Sequence, residues 1–184
     1  DAATLGTQVM HQHGGFLLGD VVGLGKTIVG VLVVKYYLDT AEEEGRANKV
    51  LIIVPPAIKS SWVKTIERFD ADREDKISPY VDFISTGSIS QLMEGEEDEL
   101  DDDTGEFEEP LQKELYGLIM IDESHNFRNN GTKKYEALND LIEEINLQAG
   151  YYPYIGLLSA TIQNNSPADL RNQIYLFQRH PKES

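Results

Sequence analysis

The sequence predicts an α/β fold in which a mostly parallel sheet carries helices on both faces. Short apolar runs recur near positions 15, 50, 81, 117 and 154, and stretches with helical spacing separate them. This alternation is typical of parallel strands joined by crossover helices. Several of the runs are apolar at nearly every position, as strands buried on both faces are.

The composition is that of one globular domain. The chain has 184 residues, of which 40% are hydrophobic and 26% charged, and this is enough for a full core. No apolar run reaches the length of a membrane span, and the first residues lack the pattern of a signal peptide. The absence of cysteine excludes a disulfide framework and a thiolate metal site. We therefore expect a cytoplasmic protein without a membrane partner.

The net charge of −16 comes largely from one segment. Residues 94–109 hold eleven acids in sixteen positions and no Lys or Arg, and the rest of the chain carries only −5. Overall charge therefore does not exclude a nucleic-acid partner. We expect this segment to be an acidic surface insertion. Metal capture there is disfavoured, because the fixed Asp/Asn spacing and turn glycine of a calcium loop are missing.

The chain begins with two predicted helix–strand pairs. The second helix is apolar nearly all round as far as Val34, so we expect it to be buried against the sheet. The second strand is rich in β-branched residues, and Pro55 and Pro56 end it. The predicted ranges are 2–12 and 15–18 for the first pair, and 26–40 and 49–54 for the second.

A third helix and a third strand follow the two prolines. Ser60 is predicted to be the N-cap of this helix. Trp62, Ile66 and Phe69 recur at spacings of four and three on one helix face, and core packing is the better explanation of all three. The predicted ranges are 61–69 for the helix and 80–85 for the strand.

The second half of the chain continues the alternation. An apolar stripe at helical spacing predicts the helix at 133–146, and Ser166 followed by Pro167 predicts the start of a last helix that runs to about 178. The two strands of this half are predicted at 117–121 and 154–158. The stripe consists of Tyr135, Leu138, Leu141, Ile142 and Ile145.

A glycine-rich stretch between the first strand and the second helix predicts a phosphate-binding loop. Backbone N–H groups of small residues and a helix N-terminus favour phosphate. Lys26 would reach the β- and γ-phosphates, and the Thr27 hydroxyl would bind Mg²⁺. Asp20 stands where the strict pattern has its first glycine, and the alternative is an ordinary βα turn with an accidental Lys. The stretch reads Gly19-Asp20-Val21-Val22-Gly23-Leu24-Gly25-Lys26-Thr27.

Two acids follow the predicted strand at 117–121. Asp122 is placed to hold Mg²⁺, and Glu123, one residue further on, is placed to orient or deprotonate a water molecule. Phosphoryl transfer needs both functions. The alternative is a pair of exposed acids at a strand end, which the phosphate loop makes the weaker interpretation.

Three polar motifs follow strands, so their side chains are expected at one edge of the sheet. Ser159-Ala160-Thr161 is the third, after the last predicted strand. The carboxyl ends of parallel strands meet at one edge, and ligands of open α/β sheets bind there. We therefore expect one ligand crevice that contains all three motifs.

Taken together, these motifs resemble the first RecA-like lobe of a superfamily 2 helicase, and the resemblance covers almost the whole chain. The Gly-Leu-Gly-Lys-Thr stretch with its preceding Asp is similar to the SNF-like branch, which comprises DNA translocases including chromatin remodellers. Two asparagine-containing stretches, 126–129 and 164–170, are similar to bacterial members. The motifs that carry the resemblance are 20–27, Leu51-Ile52-Ile53-Val54-Pro55-Pro56 with Trp62 downstream, the DEAH-like box Asp122-Glu123-Ser124-His125, and Leu158-Ser159-Ala160-Thr161 with Asn165.

The resemblance implies an ATP hydrolase that uses Mg²⁺. Lys26 and Thr27 would bind the ATP phosphates and the metal ion. Asp122 would hold the same ion, and Glu123 would activate water, so that Lys26, Asp122 and Glu123 are the expected catalytic residues. The remaining residues expected to bind nucleotide are Gly23, Leu24 and Gly25.

Further roles implied by the resemblance concern nucleic acid. His125, Ser159 and Thr161 would couple the nucleotide site to movement along double-stranded DNA. Contacts to the DNA backbone would come from two strand ends, at Pro55 with Pro56 and at Ser85 with Thr86. Such contacts tolerate any sequence and weaken with salt.

Four departures from the family pattern stand out. Ile162 replaces a usual proline, and the acidic segment 94–109 is not part of the pattern. The second RecA-like lobe, which supplies an arginine finger in the family, is not in residues 1–184, which we expect to form the first lobe alone. The glutamine motif that recognises adenine is also not found, since Gln8 lies too close to the loop.

Several functional alternatives remain open at this point. A nucleotide-binding regulatory module needs Lys26 but no water-activating acid, so Glu123 together with Ser159-Ala160-Thr161 favours a motor lobe. A P-loop kinase would need an acceptor-binding lid, which we do not identify. An RNA helicase lobe is a further alternative, although the glycine loop and Trp62 favour duplex DNA.

Overall fold

Five parallel strands form one sheet in the part of the chain that the computed structural model describes, which comprises residues 2–19, 25–89, 115–159 and 166–178. The strand order across the sheet is β1-β5-β4-β2-β3. The predicted acidic insertion at 94–109 lies outside the described residues. The strands are β1 (Gly15–Gly19), β2 (Val50–Val54), β3 (Val81–Ser85), β4 (Leu118–Ile121) and β5 (Tyr154–Ser159).

Helices flank these strands, and each strand predicted from the sequence is present. None of the described helices has the length and hydrophobicity that a membrane span requires. The helices are α1 (Ala2–His13), α2 (Gly25–Thr40), α3 (Pro56–Asp70), α4 (Lys133–Ala149) and α5 (Pro167–Ile174), and short 3₁₀ segments lie at Ser78–Tyr80 and Ser124–Phe127.

The sheet is covered on both faces, which confirms the predicted α/β architecture. Side chains of β2 alternate between the two sides: Val50, Ile52 and Val54 pack with α1, α2 and α3, whereas Leu51 and Ile53 pack with α4. All five are fully buried. Their burial on both sides is the reason that the run contains no polar residue.

The register of the sheet brings the strand ends together. Gly19 of β1 lies opposite Ser159 of β5, and Val54 of β2 lies opposite Ser85 of β3. In the centre, Ile121 of β4 lies opposite Leu157 of β5. The loops that follow the strands therefore emerge along one side of the sheet, which we call the carboxyl edge.

The predicted start of the third helix is wrong. Helix α3 begins at Pro56 with Pro55 as its N-cap, so Ser60 lies inside the helix and caps nothing. Proline suits the first helical position, because its fixed φ matches the helix and its missing N–H needs no partner there. The predicted core face is confirmed, since Trp62 and Ile66 are buried and Phe69 packs against them in the same cluster.

Two other helices also differ from the predictions. Helix α2 is not buried all round: Ile28 is 52% exposed and Tyr36 is 43% exposed, while Val33 and Val34 are fully buried. One side of α2 faces solvent because α1, α3 and the sheet occupy only the others. The last helix ends at Ile174 rather than near 178. Its predicted start is confirmed by a capping box between Ser166 and Asp169.

A buried carboxylate fixes the chain after α3. Asp70, only 4% exposed, accepts hydrogen bonds from the backbone N–H of Ile77 at 3.0 Å and of Ser78 at 2.9 Å. Burial alone would raise the pKa of the Asp70 carboxyl, but the two backbone donors outweigh it and hold the pKa below its ordinary value. The turn that leads into β3 is therefore stabilised by the ionised form of Asp70.

We expect Asp70→Asn to lower the free energy of unfolding at neutral pH by about 1–3 kcal/mol, because one of two N–H groups loses a charged acceptor. The folded pKa lies below the unfolded one, so this stabilisation is present above about pH 4 and is lost as the pH falls through the folded pKa. Urea unfolding at several pH values measures both effects. The exposed Asp72→Asn is the matched control, and an equal loss in both variants would contradict the assignment.

Candidate active site

Lys26 and Glu123 meet at the carboxyl edge. Lys26 lies in the first turn of α2, between Gly25 and Thr27, and Glu123 follows β4 by two residues. The Lys26 Nζ is 3.8 Å from Glu123 Oε1, and both side chains are largely shielded from solvent. The structure thus brings together the lysine of the predicted phosphate loop and the predicted water-activating acid. Gly23 and Leu24 lie outside the described residues.

Asp122 is buried and held by three hydrogen bonds. Its backbone N–H donates to the carbonyl of Ile53 at 2.9 Å, which continues the pairing of β4 with β2. Its Oδ1 accepts from the backbone N–H of Glu123 at 2.8 Å. Its Oδ2 accepts from the indole Nε1 of Trp62, also at 2.8 Å. The carboxylate is therefore fixed in orientation before any ligand is bound.

Sequence reasoning missed the polar contact of Trp62. It interpreted this side chain as core packing, and the ring is indeed fully buried. A buried tryptophan nevertheless requires an acceptor for its indole N–H, and that requirement was the available signal. The acceptor is the predicted metal ligand, so α3 contributes to the site as well as to the core.

Glu123 has a left-handed backbone, with φ 51° and ψ 50°, and is the only described residue other than glycine with positive φ. The conformation turns the chain sharply out of β4 into the short 3₁₀ segment. The carbonyl of Glu123 accepts from both the backbone N–H and the side-chain Nδ2 of Asn126, each at 3.0 Å. The asparagine thus stabilises the conformation that aims Glu123 toward Lys26.

His125 and Ser159 lie beside this pair. The His125 Nδ1 is 3.2 Å from Glu123 Oε2, although their relative orientation is not that of a hydrogen bond. Ser159 is fully buried at the end of β5, the strand next to β4. Thr161, the third residue expected to couple nucleotide and DNA, lies outside the described residues.

The segment after Asp122 is also tied to the last helix. Ser124 Oγ donates to Gln173 Oε1 of α5 at 2.9 Å, and both side chains are fully buried. Next to this bond, the Nδ2 of Asn172 donates to the carbonyl of Arg128 at 3.0 Å. Gln173 was not predicted as a site residue, because a glutamine on a short helix has no characteristic sequence pattern.

The four residues predicted to contact DNA lie along the same edge, after β2 and β3. Pro56 is exposed and Pro55 is half-buried. Ser85 Oγ is 2.7 Å from Ser88 Oγ. Thr86 is buried, and its hydroxyl has no hydrogen-bond partner among the residues that the structure describes. In the strand order β1-β5-β4-β2-β3, Pro55 and Pro56 thus follow the strand next to β4, which leads to Glu123, and Ser85 and Thr86 follow the outermost strand beyond it.

The donor atoms at this edge suit a hard cation shared with phosphate. Asp122 and Thr27 offer oxygen atoms, which Mg²⁺ prefers, and one or two protein oxygens suffice when phosphates and water complete the shell. No cluster of three or more His, Cys, Asp or Glu able to hold a metal occurs among the described residues. A metal bound by the side chains alone is therefore not indicated there.

The parallel sheet, the lysine at the start of α2 and the acids after β4 define a RecA-like P-loop domain. The chain belongs to the SNF2-related family, because the family model described as an SNF2-related domain matches residues 4–147.

Related proteins of known sequence are much longer than this chain. This chain is 30% identical over 174 residues to YqhH, an uncharacterised ATP-dependent helicase of Bacillus subtilis. The match covers 92% of this chain and 27% of that protein. A second relative is the Caenorhabditis elegans homologue of the SWI/SNF-related matrix-associated actin-dependent regulator of chromatin subfamily A-like protein 1. The two sequences are 28% identical over 174 residues, and the match covers 91% of this chain and 22% of that protein. The chain thus spans about a quarter of these relatives.

A solved structure shares the fold. The SWI2/SNF2 ATPase core of Sulfolobus solfataricus, solved in complex with double-stranded DNA, superposes with a TM-score of 0.65 at 19% identity. The match covers 95% of this chain and 34% of that one. It confirms the predicted fold class.

We expect Glu123→Gly to be more stable than Glu123→Ala by about 1–2 kcal/mol, because both remove the side chain and only glycine adopts the left-handed conformation freely. Chemical denaturation of the two variants measures the difference. The same pair at Glu136, exposed in α4, is the control, where alanine should be the more stable by about 1 kcal/mol. If alanine were also favoured at 123, the left-handed assignment would be wrong.

Proposed function

We propose that this chain is the ATP-binding and ATP-hydrolysing lobe of an SNF2-type DNA translocase, and that it requires a second RecA-like lobe for full activity. The observation that carries the proposal is the meeting of Lys26 with Glu123, beside a fixed Asp122, in a domain of the SNF2-related family. A module that only binds nucleotide has no need of the acid.

ATP and Mg²⁺ fit the residues of the site. Gly23, Leu24 and Gly25 would let backbone N–H groups approach the phosphates, with Lys26 neutralising their charge. Thr27 and Asp122 would hold the metal ion. When bound, the ion polarises the phosphoryl oxygens and offsets the charge that develops in the transition state.

Glu123 would act on the attacking water. One carboxylate oxygen accepts a hydrogen bond from the water, orients it and takes up its proton as the water oxygen bonds to the γ-phosphorus. The bond from that phosphorus to the β,γ-bridging oxygen breaks in the same step, and ADP leaves with the electron pair. In the structure Glu123 contacts Lys26 on one oxygen and His125 on the other. Entry of the phosphates would draw Lys26 away and leave Oε1 facing the nucleotide.

DNA would lie along the other half of the carboxyl edge. Pro55, Pro56, Ser85 and Thr86 are the proposed positions of contact with the phosphate backbone. The solved relative was crystallised with double-stranded DNA, which supports duplex DNA over RNA as the partner. His125 and Ser159, next to the acids, would transmit the nucleotide state to this surface, and Thr161 is proposed to act with them.

The test of the proposal is an ATPase assay on the full-length protein that includes the second lobe. We expect hydrolysis to be stimulated by double-stranded DNA, and stimulation to fall steeply as salt rises, because backbone contacts release counterions. The isolated lobe should hydrolyse ATP very slowly. Absence of stimulation at low salt would contradict translocation and favour a regulatory nucleotide-binding module, whereas a preference for RNA would indicate an RNA helicase.

We expect Glu123→Gln to lower kcat by about 10²–10⁴-fold, because the amide cannot take up a proton. Binding of Mg-nucleotide, measured by calorimetry, should change little, since the amide keeps the size of the side chain. Glu67→Gln, an exposed position on α3, is the matched control and should retain wild-type turnover. Unchanged turnover in Glu123→Gln would remove this residue from its proposed role.

A further inference from the structure

Trp62 is the only tryptophan of the chain, and it connects three elements of the site. It lies in the second turn of α3 and is fully buried. One edge of its ring donates the indole N–H to Asp122 Oδ2 at 2.8 Å. Its other edge lies against α2, the helix that begins with the phosphate-loop residues Lys26 and Thr27.

The contact with α2 depends on the absence of a side chain at Gly30. A Cβ at this position would lie 2.4 Å from Cη2 of Trp62 and 3.3 Å from two further ring carbons. A methyl group there would force the ring to move. Glycine within a helix costs about 1 kcal/mol relative to alanine, so α2 accepts a local destabilisation that makes room for the indole.

The rigid indole ring therefore fixes the distance between α2 and Asp122, which belong to different parts of the site. Gly30 is one helical turn beyond Lys26 and Thr27, and Asp122 is at the end of β4. The indole spans the space between them, and its N–H occupies a lone pair on Oδ2 of Asp122. The Oδ1 atom accepts a hydrogen bond from the backbone N–H of Glu123. With both oxygens bonded, the carboxylate of Asp122 is not free to rotate.

From this arrangement, we infer that Trp62 is a positioning residue for magnesium: its indole N–H orients the Asp122 carboxylate toward the metal ion that accompanies the nucleotide. The inference rests on the proposed function, because it assumes that Asp122 acts on that ion. Hydrogen-bond donors behind a metal ligand fix its orientation, and their removal weakens metal affinity by about 10- to 100-fold.

The test is the contribution of Mg²⁺ to nucleotide affinity. A non-hydrolysable ATP analogue is titrated into the 184-residue chain with excess Mg²⁺ and again with EDTA, and the ratio of the two dissociation constants is the magnesium-dependent gain. We expect Trp62→Phe to reduce this gain by about tenfold and to change the affinity in EDTA much less, because phenylalanine loses the donor and the ring carbons beside Gly30 but keeps an apolar ring in the core.

Two controls separate positioning from packing. Ile66→Val removes a methyl group from the same buried face of α3 and should leave the magnesium-dependent gain at its wild-type value. If Trp62→Phe does not fold, β-(3-benzothienyl)alanine at position 62 replaces the indole N–H by sulfur in a ring of nearly the same shape, and the same reduction is expected.

A second measurement uses the wild-type chain. With one tryptophan, a ¹H–¹⁵N spectrum contains one indole resonance, and we expect it to shift when Mg²⁺ is added to the nucleotide-bound protein. Three outcomes would each overturn the inference while leaving nucleotide binding intact. The first is a wild-type magnesium-dependent gain in the variant without the indole N–H, and the second is an equal reduction of this gain in Ile66→Val. The third is an indole resonance that does not shift when Mg²⁺ is added. Failure of the wild-type chain to bind the analogue at all would overturn the proposed function and the inference with it.

Discussion

The rest of this structure depends on the burial of its central strands on both faces. Strands β2 and β4 have no exposed residue, so no polar side chain can occupy them without a buried partner. Polar chemistry is therefore confined to the residues that follow each strand. Because all neighbours are parallel, those residues gather along one edge, and the site follows from the same constraint as the core.

The Asp122–Glu123 pair shows how this confinement assigns different environments to adjacent acids. Asp122 continues the pairing of β4 with β2 and remains buried among hydrogen-bond donors. Glu123 reverses the backbone through a left-handed conformation and faces the lysine of α2. One carboxylate is thus immobilised and the other is held by contacts that a ligand can replace. A metal ligand needs the first property, and a group that handles a water molecule needs the second.

The sequence predicted the elements of the fold well because apolar runs and helical stripes report burial directly. It also predicted that the motifs of Lys26 and Glu123 would share one edge of the sheet, since both follow parallel strands, and the structure brings the two side chains together there. It failed at Ser60, where a strong capping residue competed with two prolines that start the helix earlier. It also failed at Ile28, because hydrophobicity alone does not tell which side of α2 has a neighbour. Trp62 and Gln173 were missed as site residues because their contacts join elements far apart in the chain, and a single sequence has no periodicity that reports such pairs.

The place of β1 at one edge of the sheet has a consequence for how the domain is made. This strand carries the phosphate loop at its end, yet its sole partner in the described sheet is β5, and the paired residues Gly15 and Ile155 are separated by 140 positions. Closing so long a loop is entropically costly, and contacts of this range form late in folding. During synthesis, β1 cannot dock before β5 has emerged, and β5 lies beyond residue 147, the last residue of the family match. Nucleotide binding would therefore be acquired last, together with the closure of the sheet.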